Sequence, residues 1–156
     1  MNSKRAEGYI TPCLIILCVF LLLEAVISFA GAVQMTRLSQ QSVKICLDSF
    51  VTENAQDIFS SIKDGDNALD ALDTESFTDR LIVFLGLEKN GNMLHHRDSN
   101  GKEVFRITIP ELGCSTSGKL QIYATYTVSI PLYFCGVLID TAEIPLRVDS
   151  KFTNVF

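Results

Sequence analysis

The two histidines of the chain are adjacent, at His95 and His96, and histidine is the side chain most often used as a metal ligand or proton carrier. Asp98 and Glu103 follow closely, which puts four candidate ligands on one short stretch. A zinc site, however, draws its ligands together from several elements, and no cysteine or third histidine joins this pair. We therefore interpret His95 and His96 as the exposed end of a β-hairpin, and we predict no metal and no catalytic residue.

Five cysteines offer a second kind of chemistry, but their positions separate them. Cys13 and Cys18 fall in an apolar stretch, where a thiol acts as a small hydrophobic group. Cys46 lies in a helical segment. Cys114 is placed in a turn before a stretch of alternating residues and Cys135 just after it, so a strand at about 3.3 Å per residue holds them about 40 Å apart. Because a disulfide needs Cα atoms within about 7 Å of each other, no disulfide is predicted.

The charged residues give no sign of a phosphate, nucleic-acid or calcium site. Eighteen acidic and thirteen basic residues give a formal net charge of −5, so the chain lacks the basic excess that binds nucleic acid. Four carboxylates cluster between Asp64 and Asp73, but their spacing differs from that of a calcium-binding loop. No glycine-rich phosphate loop and no nucleophile beside a base is present. We therefore predict no cofactor, no small-molecule substrate and no enzymatic activity.

The elements that must position any functional group begin with an apolar stretch at residues 10–33, in which Glu24 is the only charged residue. As a helix rising about 1.5 Å per residue, this stretch is roughly 36 Å long, which exceeds the roughly 30 Å hydrocarbon core of a bilayer. A soluble domain of 156 residues has no core in which such a helix is apolar on every side. We therefore predict a single transmembrane helix, with the lipid bilayer as its partner.

Glu24 is the residue of this helix that most invites a functional interpretation, because an ionisable side chain inside a membrane span costs about 3 kcal/mol. Two interpretations remain open. In the first, the carboxyl group lies near the membrane surface or is protonated, and has no role. In the second, it pairs with a positive group of a partner subunit.

The orientation of the span follows from the basic residues beside it. Lys4 and Arg5 directly precede the helix, whereas the basic residues after it lie farther from the membrane. Basic residues favour the cytoplasmic side, so residues 1–9 are predicted as a cytoplasmic tail and the residues after the span, 34–156, as lying outside the cell membrane. Two cleaved forms stay open as alternatives to a retained anchor: a secretory signal cut after Ala32, and a prepilin leader cut after Gly8.

The next segment is predicted to be helical. Within residues 34–64, apolar residues recur at steps of three and four, which is the period of an amphipathic helix. No proline interrupts this stretch, so we predict that the membrane helix continues into a stalk, as one rod from Ile10 to Lys63. Residues 65–87 are predicted to be a linker and a short helix that is capped by the hydroxyl of Ser76.

Residues 88–156 change to a two-residue period. The alternation is strictest between Leu120 and Leu132, which indicates a half-buried antiparallel strand. Pro131 and Pro145 lack an amide donor and are predicted at a sheet edge, a strand end or a bulge. The sequence therefore predicts an α+β fold: a long N-terminal helix, a short second helix, and a three- to four-stranded antiparallel sheet packed on the stalk.

Three residues carry a family pattern: a glutamate in the polar head, a proline soon after it, and a second glutamate in the apolar stretch. They are Glu7, Pro12 and Glu24. The pattern resembles the N-terminal signature of TadE-like proteins, the pilin-like minor components of tight-adherence pilus and secretion machines. The stretch YTVSIPLYFCGVLIDTAEIPLRVDSKFTN also resembles the paired final strands of single-span TadE-like or pilin-like proteins of Gram-positive bacteria. The resemblance implies a pilin-like layout, with these three residues as candidate contacts between helices of an assembly.

These observations favour a non-enzymatic structural or accessory subunit of a bacterial surface pilus or secretion apparatus. Its partners would be the bilayer and other pilin-like or secretion-machine subunits. The alternative is a membrane-anchored or secreted extracytoplasmic module that binds a ligand, which requires a concave polar pocket. An anchored enzyme is the third interpretation, and the sequence offers no catalytic constellation for it.

Overall fold

The computed structural model describes residues 3–115 and 120–151, with side chains described at residues 10–115 and 120–150. The fold is α+β, as predicted. The helices are α1 (Ser3–Glu53), α2 (Ala55–Asp64) and α3 (Thr74–Leu85). The strands are β1 (Glu88–Asn90), β2 (Met93–Arg97), β3 (Glu103–Thr108), β4 (Glu111–Ser115), β5 (Gln121–Phe134) and β6 (Val137–Lys151).

Helix α1 contains both the predicted membrane helix and most of the predicted stalk in 51 continuous residues. Pro12 lies inside it without ending it. Large apolar side chains between Ile10 and Phe29 are exposed, whereas Val43, Leu47 and neighbouring residues of the stalk are buried. Among the described residues, α1 is the one helix that is long and apolar enough to cross a membrane.

The predicted rod to Lys63 is interrupted at Asn54, which separates α1 from α2. The Asn54 side chain donates a hydrogen bond to the Phe50 carbonyl at 2.8 Å, and asparagine side chains compete in this way with regular helix geometry. Helix α2 then ends at Gly65, whose φ of 87° is the left-handed conformation that favours glycine.

The predicted cap of the following helix is wrong. Helix α3 begins two residues before Ser76, and its N-cap is Asp73. The Asp73 carboxylate accepts hydrogen bonds from the amides of Glu75 at 3.0 Å and Ser76 at 3.2 Å. Aspartate is a stronger N-cap than a serine already inside the first turn, because its carboxylate satisfies two free amides at once.

The sheet has six strands rather than the predicted three to four, and every strand pair is antiparallel. Strand β5 is central: β6 pairs along one side of it, while β3 and β4 share the other side. Pro145 lies on the outer strand β6, and Pro131 lies just before the register shift after Leu132. Both prolines therefore occupy the edge and bulge positions that their missing amides predicted.

The core lies between the sheet and the stalk part of α1, with α3 beside it. The predicted alternation of β5 is confirmed, since every second residue is buried: Ile122, Ala124, Tyr126, Val128 and Ile130. The facing stripe of α1 is also buried: Val43, Cys46, Leu47, Phe50 and Val51. Among the described residues of α1 that precede this stripe, apolar burial is smaller and centres on Ala32, and hydrogen bonds hold the sheet there as well.

Candidate functional site

The turn that joins β5 to β6 is the feature on which the candidate site is built. The two strands pair as far as Phe134 and Val137, so Cys135 and Gly136 form a two-residue turn. Both turn residues have positive φ, 50° and 75°, as a tight hairpin turn requires. Cys135 is the one non-glycine residue with this conformation in the described part of the chain. Cys135 therefore adopts a backbone conformation that is unfavourable for a residue with a side chain, and contacts from outside the turn can stabilise it.

Such contacts come from the apolar part of α1. The Glu24 carboxylate accepts a hydrogen bond from the Cys135 backbone amide and a second from the Cys135 thiol, with 3.2 Å between Sγ and Oε2. One helical turn later, the Ser28 hydroxyl donates to the carbonyl of Tyr133 at 3.0 Å. Residues four apart lie on the same face of a helix, so Glu24 and Ser28 are both positioned to hydrogen-bond to the end of the hairpin.

These contacts fill positions at which β5 has no neighbouring strand. The ladder between β3 and β5 reaches only to Ser129, so the backbone groups of Tyr133 and Cys135 on that side have no ladder partner. Backbone N–H and C=O groups are strong hydrogen-bonding groups, and two side chains of α1 provide partners for the carbonyl of the half-buried Tyr133 and the amide of the exposed Cys135. The site is thus a joint between a helix and a strand end, made by side-chain to backbone hydrogen bonds.

The sequence singled out Glu24 and left open whether it has no role or pairs with a positive group of a partner subunit. In the structure its carboxylate instead accepts hydrogen bonds from a residue 111 positions away in the same chain. The structure does not bring the other two candidates to this site. Pro12 is exposed on α1 and lies about 18 Å from Glu24 along the helix. Glu7 lies in the first turns of α1, where its side chain is outside the described residues. Ser28 was missed, although its spacing of four from Glu24 was a usable signal.

The end of the hairpin beyond this joint is apolar. Three consecutive side chains are exposed there: Val137 at 66%, Leu138 at 54% and Ile139 at 65%. Directly before strand β3, the ammonium of Lys102 lies 3.8 Å from the centre of the Tyr133 ring, a cation–π contact. Apolar residues therefore form the tip, and an aromatic and a basic residue lie beside it, since Tyr133 pairs with Leu138.

The two histidines lie elsewhere, and their predicted position at an exposed hairpin end is wrong. Both are on strand β2, paired with β3. His95 Nδ1 is 2.7 Å from a carboxylate oxygen of Glu103. His96 Nδ1 donates to the Leu85 carbonyl at 3.2 Å, and its ring stacks on Phe105. Because successive strand residues point to opposite faces, the pair cannot bind one ion together. His95 instead joins β2 to β3, and His96 joins the sheet to the end of α3.

The five cysteines are free thiols. Cys114 lies in strand β4, not in the predicted turn, and its thiol is 3.2 Å from the Asn67 side-chain oxygen. Cys46 is buried in the core, and this burial raises the pKa of its thiol. In the part of the chain that the structure describes, no three His, Cys, Asp or Glu residues gather as a metal site would need.

Comparison with known protein families, with curated proteins and with solved structures found no match to this chain. The TadE-like resemblance therefore stays an expectation that rests on its sequence motifs.

Proposed function

We propose that this protein is a single-span, pilin-like structural or accessory subunit of a bacterial surface pilus or secretion apparatus, of TadE-like type and without enzymatic activity. The N-terminus lies in the cytoplasm, the apolar part of α1 crosses the cell membrane, and the sheet domain lies outside. The observation that carries the proposal is α1 itself: one helix joins an exposed apolar segment to a stalk that packs on an antiparallel sheet.

The exposure of the apolar segment supports membrane anchoring. Its most apolar window of 18 residues has a mean hydropathy of 2.8 and none of it is buried inside the protein. Surfaces of this kind are covered by lipid or by another protein, because exposed apolar patches of this size cause aggregation in water. Lys4 and Arg5 at the start of the chain support the cytoplasmic N-terminus.

A second apolar surface, on the sheet domain, supports assembly with other subunits. A groove of about 560 Å³ lies between α1 and α3 and contains Ile45, Val83 and Phe84 in its lining. These side chains are exposed, Val83 at 84% and Phe84 at 54%. Arg80 and Glu53 form an ion pair at 2.7 Å beside the groove. An apolar centre with charged groups at the rim is typical of protein interfaces.

The test is mild crosslinking in the producing bacterium, followed by purification of the full-length protein from the membrane fraction. We expect identified filament or secretion subunits among the crosslinked products, and fewer of them for Val83→Asp, which puts a charge in the groove. Lys89→Asp, on the exposed strand β1, is the matched control. A protein that stays monomeric and without partners under these conditions would contradict the proposal.

The state of the N-terminus is decided by mass spectrometry of the mature protein. A retained anchor begins at Met1 or Asn2. A prepilin leader leaves Tyr9 as the first residue, and a secretory signal leaves Val33. The last result would contradict the membrane anchor, because the apolar segment would be lost.

One observation favours the ligand-binding module as the second candidate. A hollow of about 510 Å³ on the sheet is lined by polar groups that include Thr108, Thr125, Thr127 and Arg147. Convergent polar groups in a concavity are what ligand binding needs. A ligand that raises the melting temperature of the wild type, but not of Thr127→Val, would support this function. The Val83→Asp variant would then bind the ligand normally, which separates the two candidates.

A further inference from the structure

The β5–β6 hairpin ends beside the apolar part of α1, not beside the stalk. Its turn is hydrogen-bonded to Glu24, and the end of β5 accepts a hydrogen bond from Ser28 at 3.0 Å. The exposed apolar surface of α1 continues past both contacts, to Val26, Ile27 and Phe29. The hairpin tip and the surface of α1 that lipid would cover therefore overlap along the helix axis.

The overlap gives a depth for Glu24, and hence for the hairpin turn, inside the hydrocarbon core. This calculation rests on the membrane anchoring proposed above. A hydrocarbon core of roughly 30 Å takes up about 20 residues of helix. A core that starts at Ile10 ends near Ala30, so Glu24 lies about 9 Å inside it. Moving the start back to Gly8 still leaves Glu24 about 6 Å inside. Both depths fall within the roughly 5–10 Å that interfacial elements reach.

The chemistry of the hairpin changes over the same distance. The tip carries the three exposed apolar side chains at residues 137–139. Asp140 is the first charged residue after them, and it lies roughly 10 Å from the start of β6 at 3.3 Å per residue.

Tyr133 pairs across the hairpin with Leu138 and contacts Lys102, so an aromatic and a basic residue lie at the level of Leu138. Tyrosine and basic residues are typical of the headgroup level. Ser28, which bonds the Tyr133 carbonyl, lies about 3 Å inside a boundary at Ala30, so the hairpin changes from apolar to polar close to the calculated boundary.

A strand end inside hydrocarbon also needs partners for its backbone groups, because no water is available there. Glu24 and Ser28 provide them for Cys135 and Tyr133. We propose that the tip of the β5–β6 hairpin, residues 137–139, inserts into the acyl chains of the membrane leaflet that faces the sheet domain. Glu24 then serves to hold the inserted turn, and the membrane-bound protein has two lipid contacts, the span and the tip.

The experiment uses the fact that the chain contains no tryptophan, so that a single introduced tryptophan reports on its own position. Full-length Leu138→Trp protein is reconstituted at low density in phosphatidylcholine vesicles that contain lipids brominated near either end of the acyl chains. We expect strong quenching of its fluorescence, several-fold greater by bromine near the glycerol than by bromine near the chain methyl. Phe20→Trp is the reference within the span, and Phe84→Trp is the reference on α3 of the sheet domain.

Each result supports or overturns the proposal. If Leu138→Trp is quenched no more than Phe84→Trp while Phe20→Trp is strongly quenched, hairpin insertion is overturned and the anchor stands. If Phe20→Trp escapes quenching, the anchor fails, and with it the proposed function. Protection of Leu138→Trp that grows with protein density would assign the tip to a second copy of the chain and would also overturn lipid insertion. Ile139→Trp repeats the measurement if circular dichroism shows that Leu138→Trp has lost strand content.

Discussion

The two halves of α1 hold the same sheet by different interactions. In the stalk, side chains such as Leu47 and Phe50 are buried in the core that α1 shares with the sheet. In the apolar half, Glu24 and Ser28 hold the β5–β6 hairpin through hydrogen bonds to its backbone. The apolar half, which has the higher density of hydrophobic side chains, thus holds the sheet chiefly through polar contacts, whereas the stalk, among the described residues, adds a single such contact, from Lys44 to the Asp149 carbonyl, to its buried apolar side chains.

The surrounding medium explains this difference under the proposed membrane anchoring. Around the stalk, packing removes apolar surface from water, which stabilises the contact by about 25 cal/mol per Å². Inside a bilayer the alternative to a protein contact is a contact with lipid chains that are equally apolar, so burial adds little and hydrogen bonds count for more. The comparison teaches that the same helix needs apolar partners in water and polar partners in lipid.

The largest effect is expected from Leu47→Ala. Leu47 is fully buried in the core, so the variant loses transfer free energy and leaves a cavity. We expect the free energy of unfolding of the sheet domain to fall by about 2–5 kcal/mol, measured by denaturant titration in detergent.

Leu38→Ala is the matched control, because Leu38 lies on the same helix but is half exposed. Its expected cost is below about 1 kcal/mol. Equal losses for the two variants would mean that apolar packing does not hold the stalk to the sheet.

The next effect is a loss of stability at alkaline pH that comes from Tyr126. Burial raises the pKa of Tyr126 to about 12, and the nearby Ser39 offsets a part of this. The two hydroxyls are neighbours, but their geometry falls short of a hydrogen bond. A raised pKa in the folded state means that stability is fully present below pH 10 and is lost as the pH rises toward 12.

The expected loss is at most about 3 kcal/mol, at 1.36 kcal/mol per pKa unit. It is measured as the difference between wild type and Tyr126→Phe in unfolding experiments from pH 9 to about pH 12. The variant lacks the titrating group, so its stability should fall less over this range. Parallel pH profiles for the two proteins would show that the interior beside Tyr126 is accessible to water.

The packing of the stalk on the sheet could be predicted from the sequence, because a long helix or strand that buries one face places its apolar residues at a regular spacing. The alternation along β5 and the three- and four-residue steps in the stalk both predicted the buried residues. Strands β1, β2 and β4 have only three to five residues each, too few for a period to show. His95 and His96 were misplaced for this reason, since strand β2 carries both of them.

The joint at Glu24 could not be predicted from a local pattern. Its partner is 111 residues away, and their contact depends on how far the hairpin reaches back along α1. Near the other end of the sheet, Lys44 donates to the Asp149 carbonyl at 3.0 Å. From that level, the strands run for about 40 Å to the turn, while α1 covers about 30 Å between Lys44 and Glu24. The strand path is therefore about 10 Å longer than the helix segment beside it, and where the turn meets α1 depends on the twist and tilt of the sheet, which only the assembled fold fixes.

Glu24→Leu tests the polar half of the comparison. The variant removes both hydrogen bonds to Cys135, so local opening of the hairpin turn should become easier by about 1.5–3 kcal/mol. Hydrogen exchange of the Cys135 and Gly136 amides in lipid vesicles measures this opening. Insertion of the span should be at least as good as in wild type, since a cost of about 3 kcal/mol is removed.

Glu24→Gln is the control for charge, because it keeps an oxygen that accepts from the turn amide. Exchange should rise less for this variant than for Glu24→Leu. If hydrogen exchange is unchanged in both variants, Glu24 does not stabilise the hairpin turn. Recovery of the same variants in crosslinked complexes shows separately whether Glu24 also contributes to assembly, as the family resemblance implies.

The smallest effect is expected from Ser28→Ala, which removes the single hydrogen bond from the Ser28 hydroxyl to the Tyr133 carbonyl. In lipid, we expect the end of β5 to open more easily by about 0.5–1.5 kcal/mol, measured by exchange of the amides near Tyr133. In detergent with water at the joint, the carbonyl finds a new partner and the effect should shrink. Ser39→Ala is the control for the medium. Ser39 is buried in the stalk, where neither lipid nor water reaches it, so the effect of this variant on stability should be the same in lipid and in detergent. A Ser28→Ala effect as large in detergent as in lipid would mean that the surrounding medium does not decide which interactions hold this half of α1 to the sheet.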